Sequence, residues 1–327
     1  MRLPWTQRCQ TDARNLPCRP RRCAITVSEA GEFGLIARVL ARLPQGGQVL
    51  LGPGDDAAVV AAPDRRVVVS TDVLVEGRHF RRDWSSATDI GHKAAAQSLI
   101  DIAAMGATPT AIVVGLAAPD DLPLAWTDDL TDGLRAECDR TAASVVGGDV
   151  VRAPLVVISV TALGDLTGIA PVTRAGARPG DVVVTSKGLG ASTAGLRQLS
   201  AGKLAGPHVA AHRRPRPPYA LGPALARAGA TAMIDTSDGL LADLAHIAAA
   251  SGVGIDLSLE SVRRAAAPGV TDDDALVGGE DHALVATLSV DARIPRDCVE
   301  IGTVHSGSGV TVDGLPHEGP QGWDHFA

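Results

Sequence analysis

The sequence predicts an α/β or α+β protein of two domains, on three observations. Its 327 residues exceed one ordinary domain of about 100 to 200 and leave room for a substantial core. Short apolar runs suited to buried strands alternate with segments of helical period in both halves of the chain. A turn-rich stretch over residues 164–180 separates the two series and puts the boundary near 165 to 175.

Phe33, Ile36, Val39, Leu40 and Leu43 recur at helical spacing and predict a first helix, broken by the glycines between 46 and 54. Residues 67–69 predict a buried strand that delivers Ser70, Thr71 and Asp72 at its C-terminal end. The alanine-rich stretch 88–105 predicts a buried helix stopped by Gly106 and Pro109. Strands are expected at 111–116, 145–146 and 155–163, with a helix over 126–141 between the first two. In the second half, 182–185 reads as a strand feeding the loop Gly188, Gly190 and then a helix. Pro215, Pro217 and Pro218 make a stiff connector, and Pro223 stands near the start of a helix through Ala226. Residues 233–234 read as a short strand, 239–250 as a helix, and 283–288, 298–304 and 310–312 as further strands.

Thirty basic against thirty-seven acidic side chains give a net charge of −7, unevenly spread. Residues 1–27 hold six arginines and only Asp12, which leaves 24 basic against 36 acidic groups, a net of −12, for the rest. So acidic a body repels phosphate backbones, which argues against nucleic acid, and it needs divalent cations to bridge any phosphorylated ligand. No apolar run approaches the roughly 18 to 20 residues that span a bilayer. Cys9, Cys18 and Cys23 lie in the leader and only Cys138 and Cys298 beyond it, which is no disulfide framework and an incomplete zinc set. The leader lacks a secretory h-region. Its arginine-rich, acid-poor composition reads as a transit segment or, in a chain where 27 of 30 basic residues are arginine, as an upstream mis-start; the expected compartment is the cytoplasm.

The GxxxxGK[ST] loop, the kinase HRD loop, the GxSxG elbow and a GxGxxG after a strand are all missing. GLGASTAG at 188–195 has the wrong spacing and reads as a turn entering a helix, and the pair His208, His212 reads as a solvated loop. What recurs is aspartate at strand ends and in glycine-rich turns: Asp55 and Asp56 in GPGDDAA, Asp72 in STD, Asp101 in SLIDIAAMGA, Asp149 in GGD, and Asp235 and Asp238 in IDTSDG. Each alone has an ordinary account as an Asx-turn or helix cap. Asp101 resists that account, because a carboxylate inside an apolar helix is costly to bury without a cation. Oxygen ligands without sulfur or imidazole select Mg²⁺ or Ca²⁺, and the shortage of fixed positive charge favours Mg²⁺ escorting a polyphosphate. Five acidic sites are too many for one ion, so several Mg²⁺ ions screening a nucleotide and a second anion are expected: phosphoryl transfer without a P-loop.

In chain order, EFGLIARVL, GPGDDAA, STDVLVEGRHF, SLIDIAAMGA, GGD, TRAGARPGD, DTSDGLLADLAHIA, GGEDHAL and GWDHF resemble the blocks of the thiamine-monophosphate kinase family over residues 29–326. The resemblance implies a two-domain fold like that of aminoimidazole ribonucleotide synthetase. On that reading 1–27 is a disordered leader, 28–167 binds ATP and Mg²⁺ and forms the dimer sheet, and 168–327 completes the nucleotide and substrate sites. It also implies a homodimer that phosphorylates thiamine monophosphate with ATP. Carried over by block, Asp55, Ser70, Thr71, Asp72, Asp101, Asp149, Asp235 and Asp238 hold magnesium directly or through water. Gly148, Asp149, Arg174 and Ser237 contact ATP, and His79, Glu280 and Trp323 form the thiamine-phosphate pocket. Asp149, Arg174 and Asp238 are the expected catalytic groups, while the role of Asp56 stays open. The leader departs from the pattern, and His282 stands where the GGED block often continues with tyrosine, a change expected to act on Glu280.

A phosphate acceptor already carries negative charge near neutral pH, its second pKa being about 6, so direct in-line attack on the γ-phosphorus needs no general base. The rival readings are another ATP-dependent synthetase of the same superfamily and a non-catalytic nucleotide or thiamine-phosphate sensor. Selenophosphate chemistry lacks its cysteine, none lying between Cys23 and Cys138, and the complete aspartate set argues against a sensor.

Overall fold

The computed structural model describes residues 25–53 and 57–323. The leader up to residue 24, Asp55, Asp56 and the end of the GWDHF block lie outside the described residues. Helix α1 (Val27–Leu40) starts at a capping box, in which Thr26 Oγ1 accepts from Glu29 N and Glu29 accepts from Thr26 N. Ile25 and Val27 also exchange main-chain hydrogen bonds with Leu124 and Leu122. The folded body thus includes residues 25–27, which the expected boundary at 28 left in the leader.

Strands β1 (Val49–Leu51) and β2 (Val59–Val60) form a small antiparallel pair. The first large sheet comprises β3 (Val68–Val75), β4 (Thr108–Ala118), β5 (Ser144–Arg152) and β6 (Val157–Asp165), in the order β3-β6-β4-β5, parallel only between β4 and β5. Helices α2 (Ala87–Ala104) and α3 (Leu124–Cys138) follow β3 and β4. They approach backbone to backbone, since a Cβ on Gly91 would lie 2.2 Å from the Leu130 carbonyl oxygen and one on Gly133 2.2 Å from that of Thr88.

The second half adds β7 (Asp181–Ser186), α4 (Ala191–Ser200), α5 (Pro207–Arg213), α6 (Leu221–Arg227), β8 (Ala232–Asp235), α7 (Leu240–Ser251), β9 (Gly254–Leu257), α8 (Leu259–Ala265), α9 (Asp272–Val277), β10 (Leu284–Ser289), β11 (Cys298–His305), β12 (Gly309–Val312) and β13 (Leu315–Pro316). Its sheet runs β13-β12-β9-β11-β7-β10-β8, antiparallel except for β12 with β9. Helix α2 packs on β3, β4 and β6 and also on α6 and β8, and one apolar cluster runs from Ile100 and Ile158 through to Val184 and Leu284. The two halves therefore meet on a shared core with α2 at its centre.

Two differences from the sequence expectations matter for the site. Strand β3 continues to Val75, so Ser70, Thr71 and Asp72 are mid-strand rather than at a strand end. Residues 207–213 form α5 and not a solvated loop, and His212 is buried.

Candidate functional site

A cavity of about 670 Å³ opens where the two halves meet. The first half contributes Asp72 and the loop after β3 with His79 and Arg81; the second contributes Ser237, Asp238, Glu280 and His282 from two loops, and the tail brings Trp323. The turn after β8 is the hub of the second half's contribution. Ser237 O accepts from Glu280 N at 2.7 Å, Thr236 O accepts from His282 N at 3.0 Å, and Asp238 O accepts from Trp323 N at 2.9 Å. Glu280 and His282 both have positive φ (62° and 52°), a conformation that side chains other than glycine adopt only where surrounding bonds impose it. From beneath, the Asp243 carboxylate accepts from Asp238 N and Gly239 N and holds the turn. Burial, then the charge of Asp235, raises the Asp243 pKa to about 7.

Strand alternation sorts the aspartates. Ser70 and Asp72, two residues apart, share the face of β3 that meets α2. There Ser70 donates to Asp101 at 2.5 Å and Ser98 donates to Asp72 at 2.7 Å, with Ser98 and Asp101 one helical turn apart. Asp235, at the end of β8, closes the group from the other half. Burial, then repulsion by Asp235 and Asp72, raises the Asp101 pKa to about 7, and burial raises that of Asp72. His282 Nδ1 lies 3.1 Å from Asp235 Oδ2. Burial works to lower the His282 pKa, but the hydrogen bond and charge of Asp235 outweigh it and hold the imidazole above its ordinary value. The direct side-chain partner of His282 is thus Asp235, which the sequence did not suggest. His282 Nε2 is buried and has no hydrogen-bond partner among the described residues.

Thr71 points to the opposite face of β3, where its hydroxyl meets Val160 O and Thr161 Oγ1, both at 3.1 Å. Its hydroxyl is thus turned away from Ser70 and Asp72, although Thr71 also lines the cavity. Across the register Val73, Ser159, Gly115, Asp149, Asp149 lies on that same outer face, is exposed, and accepts from Val150 N. Gly148 has a packing reason of its own, for a Cβ there would lie 2.0 Å from the Val114 carbonyl oxygen. Arg174 is exposed, and its carbonyl accepts from Ser251. Ser70, Asp101, Gly148, Asp149, Arg174 and Asp235 do not line the cavity, whereas Thr71, Asp72, His79, Ser237, Asp238, Glu280 and Trp323 do.

Among the described residues, no three His, Cys, Asp or Glu side chains converge into a ready-made metal site. The donor chemistry nonetheless fits a hard cation: Asp72, Asp101 and Asp235 are oxygen donors, and burial together with their proximity makes the ionised Asp101 unfavourable until positive charge arrives.

Sequence reasoning missed several residues that shape this site. Lys93 is buried in α2, 2.8 Å from Glu280 Oε1, so the Glu280 carboxylate is already paired. Burial works against that charge, yet Lys93 and His212 hold the Glu280 pKa below its ordinary value. Asp281 accepts from Gly190 N and, at 2.8 Å, from Ser192 N, so the glycine turn entering α4 is capped by a distant carboxylate. Arg81 stacks on Trp84, 4.4 Å from the ring centroid, at the cavity wall. One signal was available in the sequence, a lone lysine before Ala94, Ala95 and Ala96 in the helix that carries Asp101.

Residues 54–166 match the family described as AIR synthase related protein, N-terminal domain, and residues 178–313 match its C-terminal domain. The thiamine-monophosphate kinase of Mycobacterium tuberculosis is 48% identical over 316 residues, which cover 92% of this chain and 93% of that protein. That of Corynebacterium glutamicum is 40% identical over 325 residues, covering 92% and 95%. A solved structure described as AaThiL complexed with AMPPCP and TMP aligns with a TM-score of 0.74 at 34% identity, covering 91% of this chain and 98% of that one.

Burial of Asp101, with repulsion by its neighbours, predicts a stability effect of definite sign. With a folded pKa near 7 against an unfolded value near 3.8, Asp101 retains its proton longer in the folded state. Its destabilising effect is absent at low pH, grows as pH rises, and is complete above the folded value. Asp101→Asn cannot ionise, so at about pH 8 in a metal chelator it should melt above the unsubstituted protein by about 2 °C or more. Thermal melts of both proteins check this; a lower melting temperature for the variant would mean that Asp101 is not held against its charge.

Proposed function

The chain belongs to the AIR synthase related family and, within it, to the thiamine-monophosphate kinases, and on that premise we propose that it transfers the γ-phosphoryl group of ATP to thiamine monophosphate. The products are thiamine diphosphate and ADP. The observation that carries this reading is the group of buried, mutually repelling carboxylates at the seam of the two halves, beside a cavity that His79 and Trp323 also line.

In the reaction an oxygen of the thiamine phosphate forms a bond to the γ-phosphorus while the bond to the β,γ-bridging oxygen breaks and ADP leaves. The acceptor oxygen is already ionised near neutral pH, so no side chain need remove a proton. The difficulty is the approach of two anions. Asp72, Asp101 and Asp235 would hold Mg²⁺ together with Ser70 and Asp238; Thr71 and Asp149, on the outer face of the first sheet, would serve a separate ion, and Asp55 remains a proposed ligand outside the described residues. When bound, Mg²⁺ neutralises charge on the phosphate oxygens. His79 accepts from Val75 N through Nδ1 at 3.0 Å, which fixes the ring at the cavity wall, where its proposed partner is the acceptor's phosphate. Gly148, Asp149, Arg174 and Ser237 remain the proposed ATP contacts; for Arg174, exposed as it stands, this role requires the nucleotide to extend beyond the cavity.

A homodimer is part of this reading. The outer face of the first sheet exposes Val69, Val73, Val113 and Val151, an apolar surface on the side away from α2. Sedimentation should show a dimer, and Val69→Asp, at an exposed position, should give a monomer; a dimer that survives the substitution would move the interface elsewhere. No helix among the described residues is long and apolar enough to cross a membrane. Free thiols at Cys138 and Cys298 accord with a cytoplasmic place of action.

The direct test is formation of thiamine diphosphate from ATP and thiamine monophosphate, and its absence would refute the assignment. Within that assay Trp323 is informative. It is 62% exposed at the cavity, placed there by its main-chain bond to Asp238. Because Lys93 already neutralises Glu280, the indole is the better partner for the thiazolium cation, at roughly 0.5 to 2 kcal/mol. Trp323→Ala should therefore raise the thiamine-monophosphate KM by about 2- to 30-fold and leave the ATP KM nearly unchanged. An unchanged acceptor KM, or an equal weakening of ATP, would remove Trp323 from the pocket.

A further inference from the structure

Lys93 lies in the middle of the site's apolar helix, and its side chain is only 3% exposed. Its ammonium donates to the His79 carbonyl oxygen at 3.0 Å and pairs with Glu280 Oε1 at 2.8 Å. His79 stands in the loop after β3, in the first half; Glu280 stands in the strained loop before β10, in the second. Glu280 Oε2 in turn lies 3.5 Å from His212 Nδ1, which is 3.0 Å from Ser192 Oγ at the start of α4. One buried ammonium thus ties together both loops that wall the acceptor end of the cavity.

Stability alone is a poor reason for this arrangement. A buried ion pair seldom outperforms apolar side chains of similar volume, because both charges lose their water. Lys93 is flanked by Ala94, Ala95 and Ala96, where a methionine would satisfy the packing. What a methionine could not do is hold a carbonyl from one half and a carboxylate from the other at fixed separation. We propose that Lys93 is a positioning residue that sets the spacing of the His79 and Glu280 loops, and through it the affinity for the phosphorylated acceptor rather than for ATP.

The inference rests on the kinase reading for its substrate, and two readouts keep the two apart. In steady-state assays Lys93→Met should raise the thiamine-monophosphate KM by roughly 10-fold or more, as expected for loss of hydrogen bonds to a charged group, with the ATP KM within about 2-fold. An equal rise in both constants, or an effect confined to kcat, overturns the proposal. In hydrogen exchange, which needs no turnover, residues 76–80 and 278–282 should both exchange faster in the variant. Unchanged protection of either loop overturns it as well. If the unsubstituted protein makes no thiamine diphosphate, the kinase reading fails and the exchange result alone decides whether Lys93 ties the loops. Should Lys93→Met fail to fold with Glu280 left unpaired, the double variant K93M/E280Q removes both charges. Its residues 76–80 should still exchange faster than in Glu280→Gln alone, and equal exchange would refute the tie to His79.

Discussion

Burial of the Asp72, Asp101 and Asp235 carboxylates, close enough to repel one another, is the constraint around which the rest of the structure is arranged. Each group comes from a different element, β3, α2 and the end of β8, and they approach only because the two halves share a core. Ser70, Ser98 and His282 supply partial compensation from hydroxyls and one imidazole. None of these provides the full charge of a divalent ion. A site left short of positive charge is suited to a ligand that brings its own cations, which is how a polyphosphate enters an acidic protein.

The division of labour in the cavity follows from the same arrangement. On the carboxylate side, the proposal has anions enter with cations. On the proposed acceptor side, Lys93 pairs with Glu280, so the proposal assigns the thiazolium to the Trp323 face and the phosphate to His79. Strain at Glu280 and His282 is sustained by main-chain bonds to residues 236 and 237, so both ends of the site hang on one turn.

Much of the fold was legible because its longer elements carry clear periodicity. The helix expected over 88–105 and the strands near 182–185 and 283–288 lie within a residue or two of α2, β7 and β10. Strand β9 and helices α8 and α9 were missed; each has seven residues or fewer, too short for a pattern to rise above composition. In the site, Asp101 was legible because a charge in an apolar helix demands an explanation, and the same reasoning applied to Lys93 one helical face away would have found it. Three consecutive polar residues read as one cluster in the sequence, whereas the strand sends the middle one, Thr71, to the other face from Ser70 and Asp72. His212, Asp243 and Asp281 were not legible, since their partners Glu280, Gly239 and Ser192 are fixed by tertiary contacts or by a local turn whose geometry the sequence does not display.

The central claim is that Asp101 retains a proton near neutral pH until a divalent cation displaces it. Calorimetric titration of Mg²⁺ with an ATP analogue, repeated at about pH 6.5 in buffers of different ionisation enthalpy, counts the protons released on binding. The account predicts a release approaching one proton per site that disappears in Asp101→Asn. Binding with no proton release, or the same release from the variant, would contradict it.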